Sequence, residues 1–352
     1  MVAALSHKQC HIVRVTPDPL RIVGAPGSPY SRKLRAVLRY RRIPHAWVQM
    51  GSPEARALPR PRVELLPQLI FPGAREAHTD SSPLIRRLEA EYAGRSVIPD
   101  DPALAFLDAL LEDYADEWLT KAMFHYRWAF APDIAQAAAI LPRWRKVDEP
   151  EETAVAAGKM FAERQIGRLG VVGSNATTAP VIEDSYVRLL ELLDARLCEA
   201  PFVLGARPAP CDFGLYGQLT QLAGFDPTPR EIALERAPRV VAWIDLVEDL
   251  SGLEPGSGGW IARDEVTPAM RALFGEVGRV YAPFLLANAE ALARRAERVE
   301  CTIDGRPWVQ KPFPYQGKCL QWLREGYAAL ARGDRDAVDS VLAGSGCEAL
   351  FA

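Results

Sequence analysis

The sequence predicts a small α/β domain followed by a longer region that is mostly α-helical. Of the 29 prolines, 13 lie in the first 102 residues, where they disfavour long helices. Beyond this point apolar residues recur at helical spacing over long segments. The 352 residues are 49% apolar and 25% charged. This is the composition of an ordinary globular chain with room for two or three domains.

The charge and the cysteine content indicate which classes of partner and which cellular compartment to expect. The net charge of −3 provides no field that would attract a polyanion, so we expect neither nucleic acid nor a membrane surface as a partner. No segment approaches the roughly 18 to 20 apolar residues of a membrane span, and residues 1–19 lack the apolar core of a secretory signal. The six cysteines show no C-x-x-C pairing and suggest reduced thiols. We therefore predict a cytoplasmic protein.

The α/β part follows from local patterns between residues 20 and 94. β-rich runs predict strands, the spacing of Tyr30, Leu34 and Val37 predicts a helix, and Pro72-Gly73 predicts a hairpin turn. A further helix begins near Ser81. The predicted order is strand Leu20–Gly24, helix Tyr30–Arg42, strand Ala46–Met50, hairpin strands Leu69–Phe71 and Glu76–Thr79, and the helix from Ser81.

The remainder of the chain is predicted to form helices joined by short connecting segments. Residues 94–102 form a predicted linker, and the run Gly256–Gly259 marks a second joint. Asp304-Gly305 predicts a hairpin, and a last helical pair starts near Tyr315. The predicted helices are Pro102–Ala131, Glu151–Leu169, Val181–Glu199, Asp212–Ala223, Pro238–Leu250, Thr267–Leu286 and Ala287–Val299. The predicted units are thus 1–19, an N-terminal extension; 20–94; 103–250; and 251–352, a helical extension with a short hairpin.

The first helix begins with a strong start signal. Ser28 falls at the N-cap and Pro29 at the first helical position. A helix N-terminus carries free N–H donors and about half a positive charge, so it would stabilise an anion such as a thiolate. The alternative is that Ser28 only caps its own helix.

Three motifs together resemble the glutathione transferase superfamily. They are Ser28-Pro29-Tyr30, then Leu66-Pro67 before the next strand, and Asp80-Ser81 at the start of a later helix. Their order and spacing over about residues 20–92 are those of the family. The resemblance implies a thioredoxin-like fold for the N-terminal domain, an all-α domain after it, and glutathione as co-substrate without a metal.

The resemblance also implies a role for each motif. Ser28 would donate a hydrogen bond to the glutathione sulfur, and a cis Leu66–Pro67 bond would present the Leu66 backbone to the tripeptide. Asp80 would oppose the γ-glutamyl ammonium, while Ser81 and its helix N-terminus would meet the carboxylate. An N-cap cluster is the alternative for Asp80-Ser81, and it is compatible with this role. Ser31 is a fallback donor.

The function implied is a glutathione transferase-like enzyme that ionises the glutathione thiol for attack on an apolar or aromatic electrophile. Because Ser28 cannot form a mixed disulfide, thiol reduction is disfavoured. Two alternatives remain: a non-catalytic protein of the same fold that binds glutathione or a hydrophobic ligand, and a glutathione-dependent lyase or isomerase. A homodimer is a further expectation from the family.

The resemblance also implies that the second substrate binds to the first helices of the all-α domain. Tyr114, Trp118 and His125 recur at helical spacing, together with Lys121. With Tyr30 they form the predicted substrate pocket, although an aromatic stripe also suits a helical core. His125 likewise suits a buried helix residue.

Three further features bear on the organisation of the chain. Ala209 occupies the cap position before a predicted buried helix and has no acceptor of its own, so Asp212 is expected to bond back to the helix start. His7, Cys10 and His11 have metal-ligand chemistry but lie in the N-terminal extension, and we predict no metal site. The aromatic and basic run Trp308–Lys318 is either a lid over the cleft or a packing segment.

Overall fold

The computed structural model describes residues 18–255 and 259–352. The predicted N-terminal extension 1–19, with His7, Cys10 and His11, lies almost entirely outside these residues. So does most of the predicted joint at Gly256–Gly259. Among the described residues, no helix is long and apolar enough to cross a membrane.

The N-terminal domain is a three-stranded sheet in the order β2-β1-β3 with helices packed on it. Strand β1 is parallel to β2, with Leu20 opposite His45, and antiparallel to β3, with Ile22 opposite Leu69. The elements are β1 (Leu20–Gly24), α1 (Pro29–Tyr40), β2 (His45–Gln49), α2 (Pro53–Ala57), β3 (Gln68–Ile70) and α3 (Ser81–Glu91). This confirms the predicted thioredoxin-like fold followed by a largely helical region.

One predicted strand is reduced to a single bridge. His78 exchanges two backbone hydrogen bonds of 2.8 Å with Leu69, but residues 76–79 form no strand beyond this pair. The chain turns away from the sheet at once, because Asp80 adopts φ 78° and ψ 107°. The hairpin prediction was therefore wrong in its second strand.

The middle region consists of eight helices and a short 3₁₀ turn. The predicted single helix Pro102–Ala131 divides near Trp118, and it ends before a helix that the sequence analysis missed. These helices are α4 (Pro102–Glu117), α5 (Leu119–Ala129), α6 (Ala131–Arg145), α7 (Glu151–Ile166), α8 (Ala179–Leu197), α9 (Pro210–Leu222), α10 (Pro227–Arg236) and α11 (Pro238–Val247). The missed helices here are α6 and α10. Asp212 accepts hydrogen bonds from the backbone N–H groups of Ala209 (2.9 Å) and Val203 (2.8 Å), which confirms the predicted cap.

Within residues 259–352, the C-terminal region adds four helices and a hairpin. The predicted helices Thr267–Leu286 and Ala287–Val299 are instead α12 (Pro268–Glu276), a π-helical turn and α13 (Ala282–Ala293). The predicted hairpin is confirmed as β4 (Val299–Ile303) and β5 (Arg306–Gln310), with positive φ at Asp304 and Gly305. Helices α14 (Pro314–Ala329) and α15 (Arg332–Leu342) follow.

The N-terminal domain and the helices share one core, and α1 is packed tightly on α9. At the contact, a Cβ on Gly217 would lie 2.6 Å from the Pro29 carbonyl oxygen. Only glycine therefore permits the two backbones to approach this closely. The contact places the start of α1 beside the helical region.

Candidate functional site

A cleft of about 330 Å³ lies where the N-terminal domain, the first helices and the C-terminal region meet. Small-molecule sites span about 300–1,000 Å³, so this cleft is at the lower end of that range. Larger hollows of about 450 and 470 Å³ lie among the surface helices and contain no predicted site residue. The cleft is lined by Tyr30, Leu65, Leu66, Asp80, Ser81, Asp116, Glu117, Thr120, Lys121, Val171, Val172, Phe313, Tyr315 and Gln316.

Ser28 caps α1 but does not line this cleft. Its hydroxyl oxygen accepts a hydrogen bond from the Ser31 N–H at 3.3 Å, and its own proton has no acceptor among the described residues. The preceding Gly27 is covered, since a Cβ there would lie 2.6 Å from Leu141 and 3.3 Å from Trp144 of α6. The predicted cap is confirmed, whereas the side of the loop next to Ser28 is closed by a helix that the sequence analysis missed.

The Leu66–Pro67 peptide bond is cis, as the resemblance implies. Leu66 lines the cleft, while Pro67 is buried just ahead of β3. The N–H and C=O of Leu66 form no hydrogen bond with the described residues. The backbone of Leu66 is thus available to a ligand in the cleft.

Asp80 and Ser81 line the same cleft at the start of α3. The Asp80 carboxylate makes no capping hydrogen bond, so the N-cap alternative does not describe this residue. Its Oδ2 instead accepts a hydrogen bond of 2.7 Å from the Tyr315 hydroxyl. Burial, and after it the charge of Asp80, raises the pKa of Tyr315 well above its usual value, so the phenol stays protonated and donates.

A buried ion cluster lies behind this wall and joins the N-terminal domain to α4. The Lys33 ammonium of α1 donates to Glu112 (2.7 Å), Asp116 (2.5 Å) and Ser82 (2.9 Å). Arg86 of α3 pairs with the second oxygen of Glu112 at 2.8 Å. Burial opposes ionisation of Glu112, but Arg86 and Lys33 outweigh it and lower its pKa to about 2. The cluster holds Asp116 at the cleft with its charge balanced.

Glu117 and Lys121 are the other ionisable groups on this wall. Burial and the neighbouring acids Asp113 and Asp116 raise the pKa of Glu117 to about 8. The Glu117 side chain accepts a hydrogen bond from Gln316 at 3.1 Å. Burial lowers the pKa of Lys121 to about 7, against an opposing effect of Glu117. At neutral pH Glu117 is therefore mostly protonated, whereas Lys121 is near the midpoint of its titration.

The family of the N-terminal domain follows from its sequence. Residues 22–96 match the family model of the glutathione S-transferase N-terminal domain. This stretch is a glutathione S-transferase N-terminal domain. It contains the cis bond and the Asp80-Ser81 pair, and the predicted resemblance to the glutathione transferase superfamily is confirmed.

Solved structures similar to this chain include several glutathione S-transferases. One from Methylobacterium radiotolerans, in complex with glutathione sulfonate, is 18% identical over 66% of this chain and 91% of its own, with a TM-score of 0.40. The β-etherase LigF from Sphingobium sp. is 14% identical over 73% of this chain and 99% of its own, with a TM-score of 0.42. A theta class glutathione S-transferase from Xanthomonas axonopodis pv. citri, with glutathione bound, is 17% identical over 72% of this chain and 95% of its own, with a TM-score of 0.38. With TM-scores below 0.5, the assignment rests on the family model. Comparison with curated protein sequences gave no match.

One of the four residues of the predicted substrate pocket lines the cleft. Tyr30 lines it and donates a hydrogen bond of 2.8 Å to the Asp116 carbonyl oxygen. Tyr114, Trp118 and His125 do not line it. The Trp118 ring packs against Trp308, with 5.2 Å between the ring centroids, and its indole N–H donates a hydrogen bond of 3.1 Å to the Ser185 hydroxyl.

Tyr114 and His125 are also core residues. The Tyr114 ring packs against Tyr281 at 6.1 Å. The His125 ring lies within hydrogen-bond distance of Ser174 (2.8 Å) and Glu183 (3.1 Å), and burial lowers its pKa. The C-terminal region covers Tyr114 and Trp118, and Lys121 is the member of the stripe that lines the cleft, so the pocket assignment is corrected.

Three residues of α4 and α5 that help to complete the cleft were not predicted from the sequence. On α4 and α5 these are Asp116, Glu117 and Thr120, and the acidic run before Trp118 was their only signal. The C-terminal region supplies Phe313, Tyr315 and Gln316. The run Trp308–Lys318 was predicted as either a lid or a packing segment, and it provides both a core residue, Trp308, and a wall of the cleft.

Proposed function

We propose that the cleft binds glutathione and that the protein is a glutathione transferase-like enzyme acting on an apolar or aromatic electrophile. The observation that carries this proposal is that Leu66, Asp80 and Ser81 line one cavity together with apolar side chains from three other segments. An acceptor for the γ-glutamyl ammonium, donors for the carboxylate of the same residue and a free backbone edge beside them are what the first two residues of glutathione need.

Three of the predicted contacts of glutathione would be made by residues that line the cleft. The free N–H and C=O of Leu66 would pair with the cysteinyl backbone. The ammonium would take the Asp80 oxygen that Tyr315 leaves open, since only Oδ2 is occupied. Ser81 and the N-terminus of α3 would meet the γ-glutamyl carboxylate.

Asp80→Asn is expected to weaken glutathione binding by about 10- to 100-fold. A hydrogen bond to a charged group contributes about 1.5–3 kcal/mol, and the amide removes the charge while keeping the shape and the acceptor for Tyr315. Isothermal titration calorimetry measures the change. Asp100→Asn, at an exposed aspartate, serves as the matched control. Equal affinity in the Asp80 variant and wild type would place glutathione elsewhere.

The proposed chemistry is nucleophilic attack by the glutathione sulfur. The thiol loses its proton to solvent, the sulfur forms a bond to the electrophilic carbon, and the leaving group departs with its electron pair. The hydroxyl proton of Ser28 is uncommitted and the helix N-terminus lies beside it. A sulfur that reaches this end of α1, just outside the cleft lining, would gain on the order of 2 kcal/mol from the two groups, which would lower the thiol pKa by about 1.5 units from 8.5.

Ser28→Ala is accordingly expected to raise the pKa of bound glutathione by about one unit, since one donor to the anion is lost. Ultraviolet difference spectroscopy of the thiolate against pH measures the shift. The control is Ser52→Ala, because Ser52 caps α2 in the same way, accepting from Ala55 N–H at 3.1 Å ahead of Pro53. Identical titration curves in wild type and Ser28→Ala remove Ser28 from the mechanism.

A non-catalytic protein that binds glutathione or a hydrophobic ligand is the second candidate. It is favoured by the position of Ser28 outside the cleft lining and by the cover of Leu141 and Trp144 over Gly27. Tight glutathione binding with an unperturbed thiol pKa would support this candidate. Product analysis with candidate substrates separates transferase from lyase or isomerase chemistry.

A further inference from the structure

Lys121 is a buried cation on the wall of the cleft that has no acidic hydrogen-bond partner among the described residues. Its side chain lies in α5 and is 1% exposed. The ammonium donates to the carbonyl oxygen of Val172 at 3.0 Å and to Oε1 of Gln310 at 3.2 Å. Both acceptors are neutral, and the third N–H has no acceptor in residues 18–255 and 259–352.

The remaining surroundings of Lys121 are aromatic. Its Nζ lies 4.2 Å from the ring centroid of Phe284 and 5.8 Å from that of Trp308. Aromatic faces attract a cation but do not neutralise it. Lys33 is equally buried yet holds two carboxylates within 2.7 Å. A buried ammonium without a carboxylate is costly, and a bound anion would offset that cost.

One ionisable group acts on Lys121 from the elements around it. Glu117 at the end of α4 is one helical turn away, and with a pKa of about 8 it is mostly protonated at neutral pH. The groups that α13, the β4–β5 hairpin and the segment around Val172 present to Lys121 are aromatic rings, a side-chain amide and a backbone carbonyl. The part of the chain that the structure describes thus provides no fixed counter-charge at this point.

We propose that Lys121 binds the carboxylate of a ligand whose apolar part fills the cleft, so that the second substrate is an amphipathic carboxylate. The apolar part would contact Val171, Val172 and Phe313, which line the cleft beside Lys121. This inference rests on the proposed function only in calling the ligand a second substrate. Asp80, which is assigned to glutathione, lies in a different wall and shares no hydrogen-bond partner with Lys121.

The test compares two probes that differ only at the charged end, 4-phenylbutyrate and 4-phenylbutanamide. Calorimetry at pH 8, in two buffers of different ionisation enthalpy, measures affinity and the protons taken up. We expect the carboxylate to bind at least about 10-fold tighter than the amide. We also expect its binding to take up close to one proton, since a bound anion favours the charged amine.

Two variants separate the charge of Lys121 from its packing. Lys121→Met is expected to abolish both the preference and the proton uptake. Lys121→Arg keeps a permanent cation, so it should retain the preference and lose the uptake. Lys159→Met, at an exposed lysine of α7, should behave as wild type.

Three results overturn the inference: equal affinity for the two probes, a preference that survives in Lys121→Met, or no binding of 4-phenylbutyrate at millimolar concentration. Glutathione binding is measured on the same samples. A carboxylate preference without glutathione binding would refute the proposed function and leave the anion site standing. Glutathione binding without the carboxylate preference would refute the anion site and leave the proposed function standing.

Discussion

Replacing Lys33 with methionine should lower the free energy of unfolding by about 3–5 kcal/mol, the range found when one partner of a buried ion pair is removed. The ammonium is 1% exposed and is the donor shared by Glu112, Asp116 and Ser82. Without it, Arg86 still pairs with Glu112, but Asp116 is left buried without its cation. The same change removes the ionic connection between α1 and α4.

Urea unfolding followed by circular dichroism measures this loss, with Lys159→Met as the control for deletion of an exposed lysine. A loss below about 1 kcal/mol, the usual value for a surface pair, would show that the cluster contributes little to stability. A variant that fails to fold agrees with the prediction only if Lys159→Met folds normally.

Stability is expected to fall by at least about 2 kcal/mol between pH 5 and pH 8. Burial first, and neighbouring acids after it, raise the pKa of Asp113 to about 7 and that of Glu117 to about 8. Both carboxyl groups hold their protons in the folded state to a higher pH than in the unfolded chain, whose values lie near 4. The stabilisation is therefore full below about pH 4 and declines as the pH rises toward the folded-state values.

The size of this effect follows from about 1.4 kcal/mol for each unit of pKa difference. Two groups shifted by about three units would give more than 2 kcal/mol, but Asp113 is partly exposed, and relaxation of its surroundings reduces the effect. Urea midpoints at several pH values measure the slope. Asp113→Asn keeps an acceptor for Tyr281, which donates at 2.6 Å, and should flatten the slope, whereas Asp100→Asn should not. A slope of opposite sign would contradict the prediction.

Part of the candidate site was predictable because its signals are local. Ser28-Pro29 specifies a helix start, and the cap is present as predicted. Leu66-Pro67 and Asp80-Ser81 were found by their resemblance to a family motif, and the structure brings Leu66, Asp80 and Ser81 into one cavity. These residues all lie in the N-terminal domain, whose fold sets their positions relative to one another.

The rest of the site was not predictable because it depends on packing between distant segments. Tyr315 reaches Asp80 across 235 residues of sequence. The aromatic stripe of Trp118 and its neighbours has the spacing of a pocket wall and of a core face alike, and the C-terminal region decided the outcome by covering it. Helix α6 closes the side of the loop next to Ser28. Its N-cap residue, Phe130, has no capping side chain, so the sequence lacks the usual signal for the start of this helix.

The sequence by itself determined the α/β class of the first domain, the helical character of the remainder and the turn at Asp304-Gly305, since each follows from short-range steric and capping preferences. The thioredoxin-like fold of the first domain was implied by the resemblance of its motifs to a family. The tertiary structure alone decided which side chains share the cleft. Burial then set the charges of Glu117 and Lys121, because the cost of ionising a group depends on everything packed around it and not on its neighbours in the chain.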